Sequence, residues 1–139
     1  MTWQEKVQQL GVDPTNTTSI SPAPRDIASL PQEQGDAWLH QRRMRRIEET
    51  ERNLGKYGHR YRFMHLSALC TTTRRSHAER HGQLFTGDQL RIFWSDEENI
   101  KGCKCSFVEV MLDEEGQPIV GSIVDRARAM YLKYQSELN

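Results

Sequence analysis

The sequence has 139 residues, enough for one ordinary domain that can bury a sizeable core without disulfide staples. Nineteen basic and nineteen acidic residues cancel, so whole-chain charge argues for neither a nucleic-acid binder nor a membrane-surface protein. Three cysteines, Cys70, Cys103 and Cys105, are too sparse and too odd a set for a secreted disulfide scaffold.

No stretch approaches the ~20 apolar residues of a membrane span, and the first residues are not followed by the apolar run of a signal peptide. The expectation is a soluble chain of cytoplasmic origin. With 36% hydrophobic residues, the composition suits a thin α+β domain with long polar helices. Charge is unevenly spread. From His40 to Arg80 eleven Arg and Lys face four Glu, whereas from Phe93 to Gly116 seven Asp and Glu face two Lys.

In chain order, Trp3, Val7 and Leu10 recur at helical spacing and suggest a short first helix. Gly11 to Gly35 holds four of the five prolines and a run of Thr, Asn and Ser that fits neither helical nor strand period. Residues 1–35 therefore read as an extended arm or linker, and 36–139 as the domain. Asp36 is the expected N-cap of a basic helix over Ala37 to Leu54, closed by Gly55 and Gly58. Its apolar positions Trp38, Met44, Ile47 and Leu54 form a narrow stripe.

His59 to Leu66 alternates and reads as a strand, with Arg60 to Leu66 as its sheet-forming part. Arg74 to His81 suits a short helix ended by Gly82, while Phe85 to Trp94 gives mixed signals. Cys105 to Leu112 reads as a second strand, Asp113 to Gln117 as a hairpin turn, and Ile119 to Val124 as a returning strand. A terminal helix is expected from Asp125 to Leu138, with Ala129, Leu132 and Ser136 on one face, widened by Met130, Tyr131 and Tyr134. The fold class is α+β: a small, mainly antiparallel sheet with a basic N-terminal helix and a C-terminal helix, preceded by the arm.

Thiolate and imidazole are the ligands a tetrahedral zinc site prefers, which singles out Cys70, His77, Cys103 and Cys105, with His81 as a substitute. Cys103-Lys104-Cys105 is tighter than the usual zinc knuckle. The alternative is that Cys70 is a core hydrophobe and Cys105 packs a strand. His77 and His81, four apart on one helical face with Arg75 nearby, are the candidate acid and base if the chain is a metal-independent ribonuclease. The other reading of that helix is a solvated polar surface. Arg42, Arg43, Arg45 and Arg46 could track a nucleic-acid backbone, although Glu48, Glu49 and Glu51 supply neutralising neighbours. Phosphate loops, dinucleotide fingerprints and common hydrolase motifs are absent.

Taken together, Arg60-Tyr61-Arg62-Phe63, then Thr73-Arg74-Arg75-Ser76-His77-Ala78-Glu79-Arg80-His81-Gly82-Gln83-Leu84-Phe85-Thr86, then Gly102-Cys103-Lys104-Cys105-Ser106-Phe107-Val108-Glu109-Val110 resemble the Mu F-like C-terminal domain of phage minor head proteins. That family shows a strand with an aromatic, a T-R-x-x-H element leading into a glycine turn, and a C-[RK]-C-x-x-x-P-V strand. Glu109-Val110 stands here where the family has Pro-Val. The resemblance implies an α+β domain in which the His-Gly turn and the C-x-C strand meet, bringing together Cys70, His77, Gly82, Cys103 and Cys105. It further implies a head-morphogenesis role at the portal or inside the capsid, with portal or capsid proteins as partners, and contact with or ejection alongside DNA. Localisation would be the virion, and the host cytoplasm during assembly. The same family's domains accompany polymorphic toxins, so the alternative is a small interbacterial toxin or nuclease effector with an immunity protein as partner. A third reading is an adaptor whose basic helix and acidic hairpin dock on oppositely charged surfaces.

Overall fold

The computed structural model describes residues 30–138. The expected short helix at Trp3 to Leu10, and most of the arm, lie outside the described residues. In chain order the elements are α1 (Gln32–Thr50), continued by a π-helical segment (Glu51–Gly55), β1 (Tyr61–Leu66), α2 (Arg75–Ala78), β2 (Leu84–Phe85), α3 (Gly87–Phe93), α4 (Glu97–Ile100), β3 (Ser106–Met111) and α5 (Gly121–Leu138). The protein is thus α+β, with an antiparallel sheet and a helix at either end. Two compact units divide the described chain: one up to Glu49 together with Arg91–Cys103, the other Thr50–Leu90 together with the residues from Lys104 on.

In the first unit, α1 begins earlier than the sequence suggests. The Pro31 carbonyl accepts the first helical bond from Gly35 N at 3.0 Å. Proline loses nothing at a helix start, where its missing N–H would have no partner. Glu33 adds a favourable charge in the first turn. Asp36 is therefore inside the helix and is not its cap; its carboxylate accepts from Gly102 N at 3.0 Å. The stripe expected to be narrow and apolar is broader and partly polar, with Asp36, His40, Arg43, Ile47 and Thr50 all buried at helical spacing. Trp94 packs in this unit against the Arg43 guanidinium, 5.0 Å from the ring centroid, and edge-on to Phe93. Helix α4 is capped by Asp96, whose carboxylate accepts from Glu98 N.

Burial and the nearby Arg43 charge lower the His40 pKa from 6.5 to about 4. The unfolded chain therefore takes up this proton below pH 6.5, while the folded chain resists until about 4. The contribution is intact above pH 6.5 and is lost as pH falls through that window, by up to about 3 kcal/mol. Urea titrations across pH 7 to 4 should show this limb in the wild type, and His40→Gln should flatten it. Parallel pH profiles for the two proteins would refute the assignment.

In the second unit the strand order is β2-β1-β3, all antiparallel. Phe63 pairs with Phe85, and the β1–β3 register runs from Tyr61 opposite Met111 to Leu66 opposite Ser106. Being central, β1 buries three successive residues, Phe63, Met64 and His65. Phe63 stacks edge-on to Phe107 at 5.1 Å, and Met64, Val110 and Ala127 form the other packed group with Leu66, Leu84, Val108 and Val124. Aromatic edge contacts of this kind add to the area they bury.

The third strand is Leu84–Phe85, and the expected returning strand at Ile119 to Val124 is not formed. After the turn, where Asp113 Oδ1 accepts from Glu115 N and Gln117 N, pairing reaches only the Leu112–Pro118 bridge. The chain then enters α5 at Gly121, four residues before Asp125, and uses Val124, Ala127, Tyr131 and Tyr134 as its inner face. Met130 and Leu132, expected on that face, are exposed.

Candidate metal centre

β1 ends at Leu66 opposite Ser106, so the residue before β3, Cys105, lies at the edge of the sheet where β1 stops. From that edge the chain loops out, forms α2 and returns through Gly82 alongside β1. Gly82 N donates to His65 O at 2.8 Å and His65 N donates to Gln83 O at 3.0 Å. This places α2, and His77 with it, beside the start of β3. Arg128 of α5 holds the returning turn from outside, donating to His81 O at 2.8 Å and Glu79 O at 3.1 Å.

His77 Nδ1 stands 3.5 Å from Cys105 Sγ. Cys103, two residues earlier in the chain, brings a second thiol, and the three donor atoms all lie within 4.8 Å of one another. His77, Cys103 and Cys105 are buried. Zinc bonds of about 2.3 Å to sulfur and 2.0 Å to nitrogen imply a tetrahedral edge of roughly 3.6 Å, close to the observed nitrogen–sulfur separation. Two thiolates and an imidazole, enclosed and convergent, can hold a metal ion.

Cys70 stands outside this cluster. Leu69 adopts φ +51°, and the following turn, closed by Thr73 N to Cys70 O, faces the thiol toward Thr72 and Thr73. Both hydroxyls lie 3.2 Å from the exposed sulfur. Hydrogen bonds from Thr72 first, then Thr73, lower its pKa from 9.0 to about 7. The Cys70 carbonyl is taken by the Tyr134 hydroxyl at 2.9 Å.

No family model matches the chain, and no curated protein or solved structure matches it either.

His81 is fixed as well. Its Nδ1 accepts from Ser67 N at 3.0 Å, which leaves the proton on Nε2 and removes that nitrogen as a metal ligand in the neutral ring. Burial, with the Arg128 charge adding to it, disfavours the charged form and lowers its pKa. Both histidines considered as acid and base are buried, and Arg75 is engaged at the surface with Glu79 at 3.0 Å. Glu79 follows His77 at the spacing that zinc deaminases use for their proton-carrying carboxylate. Here it turns outward to Arg75, so the cluster has metal donors and no adjoining base from that position.

The basic helix does not present its four arginines together. Arg43 is buried and donates to Cys103 O at 2.9 Å; Arg42 is exposed over the Trp38 ring; Arg45 and Arg46 are half-buried. Sequence reasoning missed Asp36 and Arg43 as supports of the C-x-C segment, reading one as a helix cap and the other as surface charge. Among the described residues, no helix is long and apolar enough to cross a membrane.

Proposed function

We propose that this chain is a non-enzymatic assembly module of the phage minor-head type, whose fold is fastened by one zinc ion held by His77, Cys103 and Cys105. The observation that carries this reading is the meeting of the His77 helix, just before the Gly82 turn, with Cys105 at the head of β3. That is the juxtaposition the resemblance to Mu F-like domains implies. The chemistry of the donor set favours zinc: thiolate and imidazole suit a d¹⁰ ion without redox demands. Bound there, the ion would tie α2 to β3 and leave the remaining surface free for portal or capsid proteins in the assembling head.

The toxin alternative requires His77 and His81 to work on a substrate in solution. Their burial, and the use of His81 Nδ1 by a backbone amide, leave that reading without an accessible acid and base. The test is made in cells producing the phage. Purified heads analysed by mass spectrometry should contain the chain, and deleting its gene should reduce head yield. Heads that lack it and assemble normally would refute the proposal, as would growth arrest on expression that His77→Ala relieves.

A further inference from the structure

We infer that Asp36 and Arg43 on α1 are positioning residues for the metal centre, acting on the backbone of the C-x-C segment about sixty residues away in sequence. This rests on the metal reading proposed above. The local turn that carries Cys103 is short: α4 ends at Ile100, Cys103 N donates to Ile100 O at 3.1 Å, and Gly102 reverses the chain with φ +64°. Such a turn has few internal bonds, and its direction is set from outside.

Asp36 and Arg43 are seven residues apart, two helical turns, so one face of α1 reaches both sides of the turn. Asp36 Oδ2 accepts from Gly102 N at 3.0 Å and Arg43 Nη2 donates to Cys103 O at 2.9 Å. Both side chains are buried, and the Arg43 guanidinium is laid over the Trp94 ring, which restricts its swing. With Gly102 N, Cys103 N and Cys103 O all held, the Cα–Cβ bond of Cys103 has one direction. Its thiol is presented to the cluster before any metal arrives. A ligand held by backbone bonds of this kind loses less freedom on coordination, as the outer partners of metal ligands generally ensure.

The reading separates from ordinary helix packing through Ile47. It is buried on the same helix in the same unit, and no bond from its side chain reaches the turn. The full chain is loaded with cobalt(II), its visible spectrum recorded, and zinc affinity measured by competition with a chromophoric chelator. Asp36→Ala, which removes the acceptor for Gly102 N, and Arg43→Gln should each weaken zinc binding about 10- to 100-fold and alter the cobalt bands, whereas Ile47→Ala should lower the melting temperature and leave affinity within about threefold. Arg43→Lys should restore part of the affinity. Wild-type affinity in Asp36→Ala and Arg43→Gln overturns the inference, as does an equal loss in Ile47→Ala. A wild-type chain that takes up neither cobalt nor zinc overturns the metal reading itself, and this inference with it.

Discussion

Replacing Cys105 with serine should strip the purified protein of zinc, from about one ion per chain to a trace, while Cys70→Ser should keep the full complement. The contrast follows from placement. Cys105 is buried with its sulfur 3.5 Å from His77 Nδ1, whereas Cys70 is exposed and turned toward Thr72 and Thr73. Serine has nearly the shape of cysteine but does not ionise near neutral pH, so the variant tests the ligand and not the packing. A ligand present at a thousandfold excess over its dissociation constant adds about 4 kcal/mol to folding stability. For a chain of this size that corresponds to a melting temperature lower by roughly 12–16 °C in Cys105→Ser. Elemental analysis of protein purified without a metal-affinity tag, followed by calorimetry with and without added zinc, measures both quantities. Equal zinc in the wild type and Cys105→Ser, or equal loss in Cys70→Ser, would refute the assignment of the cluster.

Why one cysteine of three falls outside the cluster shows what spacing can and cannot carry. Residue type made His77, Cys103 and Cys105 visible as ligands, and the class of fold followed from alternation in β1 and β3 and from the polar C-terminal helix. The direction of Cys70 depends on the positive φ of Leu69 and on hydroxyl bonds within its own turn, neither of which has a spacing. The two-residue strand Leu84–Phe85 is too short to display a period, and the apolar run at Ile119 to Val124 is short enough to suit strand or helix equally. The packing of Ala127 and Tyr131 decides for the helix. In α1 the misreading has a different origin. Hydropathy marks a buried face by apolar residues, and this face is carried by Asp36, His40, Arg43 and Thr50 around Ile47. Their burial is offset by specific bonds, among them Thr50 Oγ1 to Glu109 Oε1 at 2.7 Å, which a count of apolar positions cannot register.

Gly82→Ala should be a more damaging single-methyl addition than the same change at Gly55, Gly58, Gly116 or Gly121, because two independent costs meet there. Its φ of +80° is a conformation that costs a residue with a Cβ about 1–2 kcal/mol. The added methyl would also lie 2.9 Å from Ala127 Cβ and 2.9 Å from the Arg128 backbone nitrogen. Neither is the movable end of a flexible side chain. Helix α5 cannot retreat freely, since Arg128 is bonded to the carbonyls of Glu79 and His81 on the same turn. Overpacking of this kind adds about 1–3 kcal/mol, for a combined loss of about 3 kcal/mol or more. Gly58 provides the control: its φ is +70°, but nothing lies within 4 Å of an added methyl. Gly58→Ala should therefore cost only the conformational part, about 1–2 kcal/mol. The difference between the two variants in urea denaturation measures how tightly α5 closes on the turn that carries His77. If the two cost the same, α5 yields at that contact, and the turn is held by its bonds to β1 alone. If Gly82→Ala costs the larger amount and also weakens zinc binding, the C-terminal helix is part of what keeps His77 facing Cys105.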